Sequence, residues 1–142
     1  MELDSTVSDK IDGLSEQGNL LLDEQGDWRG AIDVWRTALN LVPEPKTEWE
    51  AATWLNASIA EAFFAGGQKE DALVYFMDAL NCPDGHMNPF ILFRIGQLLV
   101  DNHEEARGIE YLLRAYMLDG DDIFQSDGGT YLDLLRRRKL VD

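Results

Sequence analysis

The sequence predicts an all-α fold of three helix pairs followed by a C-terminal capping helix. Apolar residues recur at spacings of three and four along nearly the whole chain, whereas strict apolar–polar alternation is scarce. The tripeptide Ala-Leu-Asn, followed closely by proline, occurs at residues 38–40 and again 41 positions later at residues 79–81. A repeat of this length is typical of stacked helical units.

The first predicted unit covers about residues 10–43 and contains two helices separated by Gly26. Gly26 can end the first helix, and Asp27 can cap the start of the second. Pro43 and Pro45 then end the second helix. The apolar stripes of the two helices contain Val7, Ile11, Leu14, Gly18, Leu21 and Leu22, and then Trp28, Ala31, Ile32, Trp35, Ala38 and Leu39.

The second predicted unit covers about residues 48–83 and ends at Pro83. Thr47 and Glu50 have the spacing of a capping box at the start of its first helix. Gly66 and Gly67 separate the two helices. Their apolar stripes contain Ala52, Leu55, Ile59, Ala62 and Phe63, and then Ala72, Leu73, Phe76, Ala79 and Leu80.

The third predicted unit covers about residues 89–120, and a capping helix covers about residues 128–139. Asn88 and Pro89 suit the cap and first turn of its first helix, and Asn102-His103 forms the turn between helices. We expect the stretch GDDIFQSDGG to be a loop and residues 1–142 to form one domain. The stripes contain Leu92, Ile95, Gly96 and Leu99; Gly108, Ile109, Leu112, Ala115 and Tyr116; and Tyr131, Leu132, Leu134 and Leu135.

Small residues recur seven positions apart in the second helix of each unit, with one large apolar residue between them. Residues at this spacing lie on one helical face, and small ones let two helices approach closely. The three sets are Ala31, Trp35 and Ala38; Ala72, Phe76 and Ala79; and Gly108, Leu112 and Ala115. The partner helices contribute the small residues Gly18, Ala60 and Gly96.

Together with Gly26, Gly67 and Pro43, this pattern resembles the tetratricopeptide repeat (TPR) family over about residues 10–120. The repeats are spaced 41 and then 36 residues apart, against about 34 in that family. The extra residues fall in the loops VPEPKTEW and CPDGHMNP. The resemblance implies a right-handed α-α superhelix whose terminal apolar face is covered by the last helix.

The resemblance also implies a binding scaffold whose first helices line a concave groove. Aromatic and acidic side chains there would suit a protein or peptide partner with apolar and basic residues. Two alternatives stay open: Phe64 and Phe90 could pack against neighbouring helices, and exposed aromatics could form a homodimer. The candidate groove residues are Asn19, Trp54, Glu61, Phe64, Phe90, Phe93, Arg94 and Gln97.

The composition is strongly acidic, with 27 Asp and Glu against 12 Lys and Arg and a formal net charge of -15. Such a charge repels nucleic acid and anionic lipid and favours basic partners. No apolar run reaches the ~18 residues of a membrane span. The first residues, MELDSTVSDK, lack the regions of a secretory signal, so we expect a cytoplasmic protein.

The sequence contains no recognisable catalytic, metal or cofactor motif. His86 and His103 lie in different predicted loops, without Cys or His at ligand spacing. The aspartates of residues 119–127 are interrupted by Ile123 and Phe124 and lack the glutamate that closes an EF-hand loop. Phosphate-loop and dinucleotide-binding glycine patterns are absent. We therefore expect a non-enzymatic protein without a cofactor or metal.

More specialised functions stay open beside a general protein–protein interaction module. Compact acidic proteins with three such repeats look like the TPR class of bacterial type III secretion chaperones, which hold apolar segments of translocator proteins. Small acidic helical proteins also serve as immunity partners that neutralise toxins. The remaining class is an enzyme or metal-binding protein built on helices, which would need a convergent polar pocket.

The basic residues are also unevenly placed, because four of the 12 form the run Arg136–Lys139. Cations at the end of a helix interact favourably with its dipole, which is sufficient to explain such a run. The alternative is that the run docks onto another surface.

Overall fold

The computed structural model describes residues 2–142, which are all-α as predicted and contain no strand. Short 3-10 helices occupy Lys46–Glu48, Gly85–Met87 and Asp122–Asp127. The α-helices are α1 (Ser5–Asp23), α2 (Trp28–Leu41), α3 (Glu50–Ala65), α4 (Lys69–Leu80), α5 (Pro89–Asp101), α6 (Glu105–Asp119) and α7 (Thr130–Arg137).

Neighbouring helices pack as the pairs α1–α2, α3–α4 and α5–α6, each joined by a short turn. Every one of these turns contains a residue with left-handed backbone: Gly26 (φ 64°), Gly67 (φ 74°) and His103 (φ 64°). Glycine adopts this conformation without steric cost, whereas histidine does so only against a penalty. The three turns thus share one backbone geometry, although only two of them contain glycine.

The chain divides into two compact units, one ending at Gly85 and the other beginning at His86. The first unit contains the α1–α2 and α3–α4 pairs, with α2 also packed against α3. The second contains the α5–α6 pair, the 3-10 helix Asp122–Asp127 and α7.

Trp35 organises the core of the first helix pair. Its side chain is buried, and its Nε1 donates a hydrogen bond to the carbonyl oxygen of Ser15 at 3.2 Å. A Cβ added at Gly18 would lie 2.2 Å from Nε1 of Trp35. Only glycine at position 18 therefore leaves room for the indole ring between α1 and α2.

In the second unit, α5 and α6 approach closely at Gly96 and Gly108. A Cβ on Gly96 would lie 2.9 Å from the carbonyl oxygen of Gly108, and one on Gly108 would lie 2.8 Å from the carbonyl oxygen of Gly96. The two backbones touch at this point, so neither glycine tolerates a side chain without displacement of a helix.

Two of the predicted helix starts are confirmed and one is wrong. Asp27 accepts a hydrogen bond from the backbone N–H of Gly30, and Asn88 caps α5 ahead of Pro89. The predicted capping box of Thr47 and Glu50 does not form, because Thr47 lies in a 3-10 helix and Trp49 is the N-cap residue of α3.

The stretch GDDIFQSDGG is not the loop that the sequence predicts. Residues 122–127 form a 3-10 helix that buries Phe124 against α5 and α6. The aspartates of this stretch favour a solvated loop. Burial of the Phe124 ring is favourable, however, and it holds the segment against α5 and α6.

α7 packs against α6 and the 3-10 helix, through its buried residues Tyr131, Leu132, Leu134 and Leu135. The hydroxyl of Tyr131 donates a hydrogen bond to Oδ1 of Asp101 at 2.6 Å, which ties α7 to α5. Burial and this hydrogen bond to a carboxylate both raise the pKa of Tyr131 well above its ordinary value.

Gly108→Ala should destabilise the fold by about 1–3 kcal/mol, because the new Cβ would collide with backbone atoms of α5. Gly13→Ala is the matched control, since no atom lies within 4 Å of a Cβ built there in α1. That change should stabilise the protein by about 0.5–1 kcal/mol through helix propensity. Denaturant unfolding followed by circular dichroism measures both values, and an unchanged stability of Gly108→Ala would contradict the close approach.

The raised pKa of Tyr131 predicts a loss of stability at alkaline pH. The folded chain keeps this proton to a higher pH than the unfolded chain, whose tyrosines titrate near ~10. The stabilisation is therefore complete below that pH and declines as pH rises above it. Tyr131→Phe should reduce the alkaline slope of the unfolding free energy between about pH 10 and 12. Equal slopes for the two proteins would contradict the contribution of Tyr131.

Candidate partner-binding site

An open concavity of about 860 Å³ lies in the first unit, between the N-terminal half of α1 and the start of α3. We call it the acidic concavity. Its lining residues are Glu2, Leu3, Ser5, Ser8, Asp9, Ile11, Asp12, Glu48, Trp49, Glu50, Ala51, Trp54 and Pro83.

Carboxylates dominate the charge of the acidic concavity. Five of the lining residues are acidic, all five are exposed, and no lysine or arginine lines the same surface. None of these five forms a salt bridge with another residue in the range 2–142. Like charges that share a hollow repel one another and raise the local concentration of cations. A basic side chain entering the concavity would relieve this repulsion.

The acidic residues come from two short sequence segments. Asp9 and Asp12 are three apart on α1, so their side chains lie on one side of that helix. Glu48 and Glu50 flank Trp49 where α3 begins. The N-terminus of a helix stabilises negative charge, which accounts for Glu50 in the first turn of α3. The helix dipole of α1 offers no such explanation for Asp9 and Asp12, which lie beyond its first turn.

Two tryptophans complete the acidic concavity. The side chain of Trp54 is 38% exposed. The indole nitrogen of Trp49 is buried, and no acceptor within residues 2–142 takes its hydrogen. Buried N–H groups of this kind are nearly always hydrogen-bonded in proteins. The concavity therefore offers an exposed aromatic ring beside a set of carboxylates, whereas the unpaired Trp49 nitrogen lies beneath its surface.

Of the groove residues predicted in the first unit, only Trp54 lines the acidic concavity. Asn19 is exposed on α1, and Glu61 and Phe64 are partly buried on α3. Trp49 and the acidic residues around it are not among the groove residues predicted from the sequence. The signal that could have found them is the segment EWEAATW, in which two tryptophans and two glutamates fall within seven residues.

In the second unit, three predicted residues contact one another on α5. The guanidinium carbon of Arg94 lies 5.2 Å from the ring centre of Phe90 and 6.0 Å from that of Phe93. Nη1 of Arg94 donates a hydrogen bond to Oε1 of Gln97 at 2.7 Å. Phe90, Arg94 and Gln97 are partly buried, so these contacts use part of the surface that each could offer to a partner.

The structure buries Phe93, another of the predicted groove residues, leaving its side chain only 1% exposed. Its ring packs edge-on against Phe124 at 5.2 Å and against Tyr131 at 6.0 Å. The 3-10 helix and α7 cover the side of α5 that the sequence analysis left open. Phe93 is a core residue of the second unit.

The one cysteine is poorly suited to nucleophilic chemistry. Cys82 is buried, its Sγ donates to the carbonyl oxygen of Asp78 at 3.3 Å, and burial raises the pKa of its thiol. A thiol held in its protonated form is a weak nucleophile. Within residues 2–142, no group of three or more His, Cys, Asp or Glu side chains is arranged to hold a metal ion.

No family model matches the chain, and no curated protein matches its sequence. Among the helices of residues 2–142, none combines the length and apolar character that crossing a membrane requires.

Phe93→Ala should destabilise the second unit by about 3–5 kcal/mol, as removal of a fully buried ring does. Trp54→Ala, which removes a larger but exposed ring, should cost much less. Denaturant unfolding of the two variants gives this comparison. A larger loss for Trp54→Ala would show that Trp54 is a structural residue and Phe93 is not.

Proposed function

We propose that this chain is a non-enzymatic protein–protein interaction module that binds a basic and apolar segment of a protein partner in the acidic concavity. The observation that carries the proposal is one hollow that combines an exposed Trp54 with five carboxylates and has no lysine or arginine in its lining. The net charge of -15 supports a basic partner over an acidic one.

Lysine or arginine side chains of the partner would interact with both features of the concavity. Their charged ends pair with Asp9, Asp12, Glu48 or Glu50, while their aliphatic stems lie along the ring of Trp54. A cation over a tryptophan ring contributes about 0.5–2 kcal/mol, depending on how well it is desolvated.

The floor of the concavity is held by the core of the first unit. Ile11 and Ala51 line the concavity and are both buried. A surface whose backbone is already fixed loses little conformational entropy when a ligand binds. The arrangement therefore supports recognition of a segment by a preformed site.

A labelled model peptide of alternating lysine and leucine tests the proposal, with the equivalent glutamate–leucine peptide as its negative control. Fluorescence anisotropy should show binding of the lysine peptide alone, weakening as salt is added. Trp54→Ala should weaken that binding about 10- to 30-fold, as loss of an aromatic anchor does. Amide shifts in the nuclear magnetic resonance spectrum should change at residues 9–12 and 48–54.

The matched control for the acidic residues removes equal charge elsewhere. Asp9→Asn with Asp12→Asn should weaken binding, whereas Glu70→Gln with Asp71→Asn on α4 should leave it nearly unchanged. Residues 70 and 71 are exposed and lie outside the concavity. Equal losses for the two double variants would mean attraction by net charge alone, and the proposed site would be wrong.

Trp49→Phe tests the unused indole donor. The change removes the N–H and keeps an aromatic ring, so stability should be unchanged or raised. Binding of the lysine–leucine peptide should be nearly unchanged, because the buried nitrogen is out of reach of a ligand. Binding weakened about fivefold, the effect of one lost hydrogen bond of about 1 kcal/mol, would show that the nitrogen becomes accessible in the complex.

A further inference from the structure

The two units differ sharply in charge. Residues 1–85 contain 17 Asp and Glu against five Lys and Arg, a net charge of -12. Residues 86–142 contain ten Asp and Glu against seven Lys and Arg, a net charge of -3. Four of those seven basic residues are consecutive, at positions 136–139. One unit thus carries the acidic concavity, and the other carries the one dense basic run of the chain.

Part of this basic run is not used within the molecule. Arg136 pairs with Asp121 and Asp133, and Arg138 pairs with Glu105. Arg137 and Lys139 are exposed, and no carboxylate of residues 2–142 forms a salt bridge with either. In a chain with more than twice as many acidic as basic residues, Arg137 and Lys139 are thus two exposed cations without an acidic partner.

Lys139 also occupies an unfavourable backbone position. Its N–H donates to the carbonyl oxygen of Arg136, and the N–H of Leu140 donates to that of Leu135. These two bonds close α7 in a Schellman motif, where the residue in the place of Lys139 is usually glycine. Lys139 has φ 57°, a conformation that costs energy for a residue with a Cβ. The dipole of α7 accounts for cations inside its last turn, but not for a lysine at this strained position.

The segment also has the apolar character that the concavity suits. Leu140, directly after Lys139, is 46% exposed. Arg137, Lys139 and Leu140 thus place two unpaired cations and an exposed aliphatic side chain within four residues. The cations match the carboxylates of the acidic concavity, and the aliphatic side chain matches the exposed ring of Trp54.

We propose that the acidic concavity of one copy binds the segment Arg137–Leu140 of a second copy. The inference rests on the proposed function, because it uses the same site, and it names one occupant of that site. One copy contributes its concavity and the other its segment, so the contact is head-to-tail and leaves a free concavity at one end. A partner segment with more cations displaces the segment of the second copy.

The overall charge sets the conditions for this association. Two copies of net charge -15 repel each other, while the contact between concavity and segment is attractive only at short range. Repulsion between distant charges is screened beyond ~10 Å at 0.1 M salt, while contacts within that distance are screened less. Association should therefore be strongest near this ionic strength and should weaken again in concentrated salt.

The first experiment uses a labelled peptide of residues 130–142, TYLDLLRRRKLVD, titrated with the full chain. Anisotropy should report binding that Trp54→Ala in the full chain weakens about tenfold. The same peptide with Arg137→Glu and Lys139→Glu should not bind. Binding of the two peptides with equal affinity would overturn the proposal.

The second experiment measures self-association by sedimentation velocity at 0.1 M salt. The sedimentation coefficient of the wild-type chain should rise with concentration, whereas that of Arg137→Glu/Lys139→Glu should stay at the monomer value. The control variant Arg29→Glu/Arg107→Glu makes the same change in net charge at exposed positions outside the segment. Because it keeps the segment, its sedimentation coefficient should still rise with concentration. A wild-type chain that remains monomeric, or a segment variant that associates like this control, would overturn the proposal.

Complementation makes the test specific to a head-to-tail contact. Asp9→Lys/Asp12→Lys removes the concavity and keeps the segment, while Arg137→Glu/Lys139→Glu does the reverse. Each variant alone should be monomeric, and an equimolar mixture should form a one-to-one dimer that does not grow further. Dimer formation would also show that both variants are folded. No dimer in the mixture, with circular dichroism showing both chains helical, would overturn the proposal.

The lysine–leucine peptide separates failure of this inference from failure of the proposed function. Binding of that peptide in the concavity without binding of the 130–142 peptide would leave the proposed function standing and refute only the second-copy occupant. Binding of neither peptide would refute both.

Discussion

The close approach of paired helices at small residues is the constraint on which the structure depends. Gly18 admits the indole ring of Trp35, and Gly96 and Gly108 bring the backbones of α5 and α6 into contact. These positions fix how deeply each pair interlocks, and therefore which side chains remain at the surface. Ile11 and Ala51 can form the floor of the acidic concavity because the helices that carry them are held in the core of the first unit.

The fold was largely predictable because its determinants are local. The spacing of apolar residues, the caps Asp27 and Asn88, and the glycines of the turns all act within a few residues of the chain. Even His103, which has the left-handed backbone of Gly26 and Gly67, lies in the turn that the sequence predicts at Asn102-His103. The capping box predicted at Thr47 does not form, because Thr47 is part of the 3-10 helix Lys46–Glu48.

The candidate site was predictable only in part, because exposure depends on residues distant in sequence. Trp54 and Phe93 are both large aromatic residues on the first helix of a pair, and sequence periodicity treats them alike. Phe93 is buried because Phe124 and Tyr131, some 31 and 38 positions further along the chain, pack against it. Trp54 stays exposed because no segment of the first unit covers it. The carboxylates around Trp54 come together only when α2 packs against both α1 and α3, which no local pattern encodes.

The tryptophans of the sequence, at positions 28, 35, 49 and 54, all belong to the first compact unit. The second unit contains tyrosine and phenylalanine but no tryptophan. Emission excited at 295 nm (roughly, the red edge of indole absorption) therefore originates in one unit alone, while the far-ultraviolet helical signal originates in both. Tryptophan emission therefore follows unfolding of the first unit, and the far-ultraviolet signal follows unfolding of both. If the two unfolding curves coincide, the two units unfold together, and if they diverge, the units unfold separately.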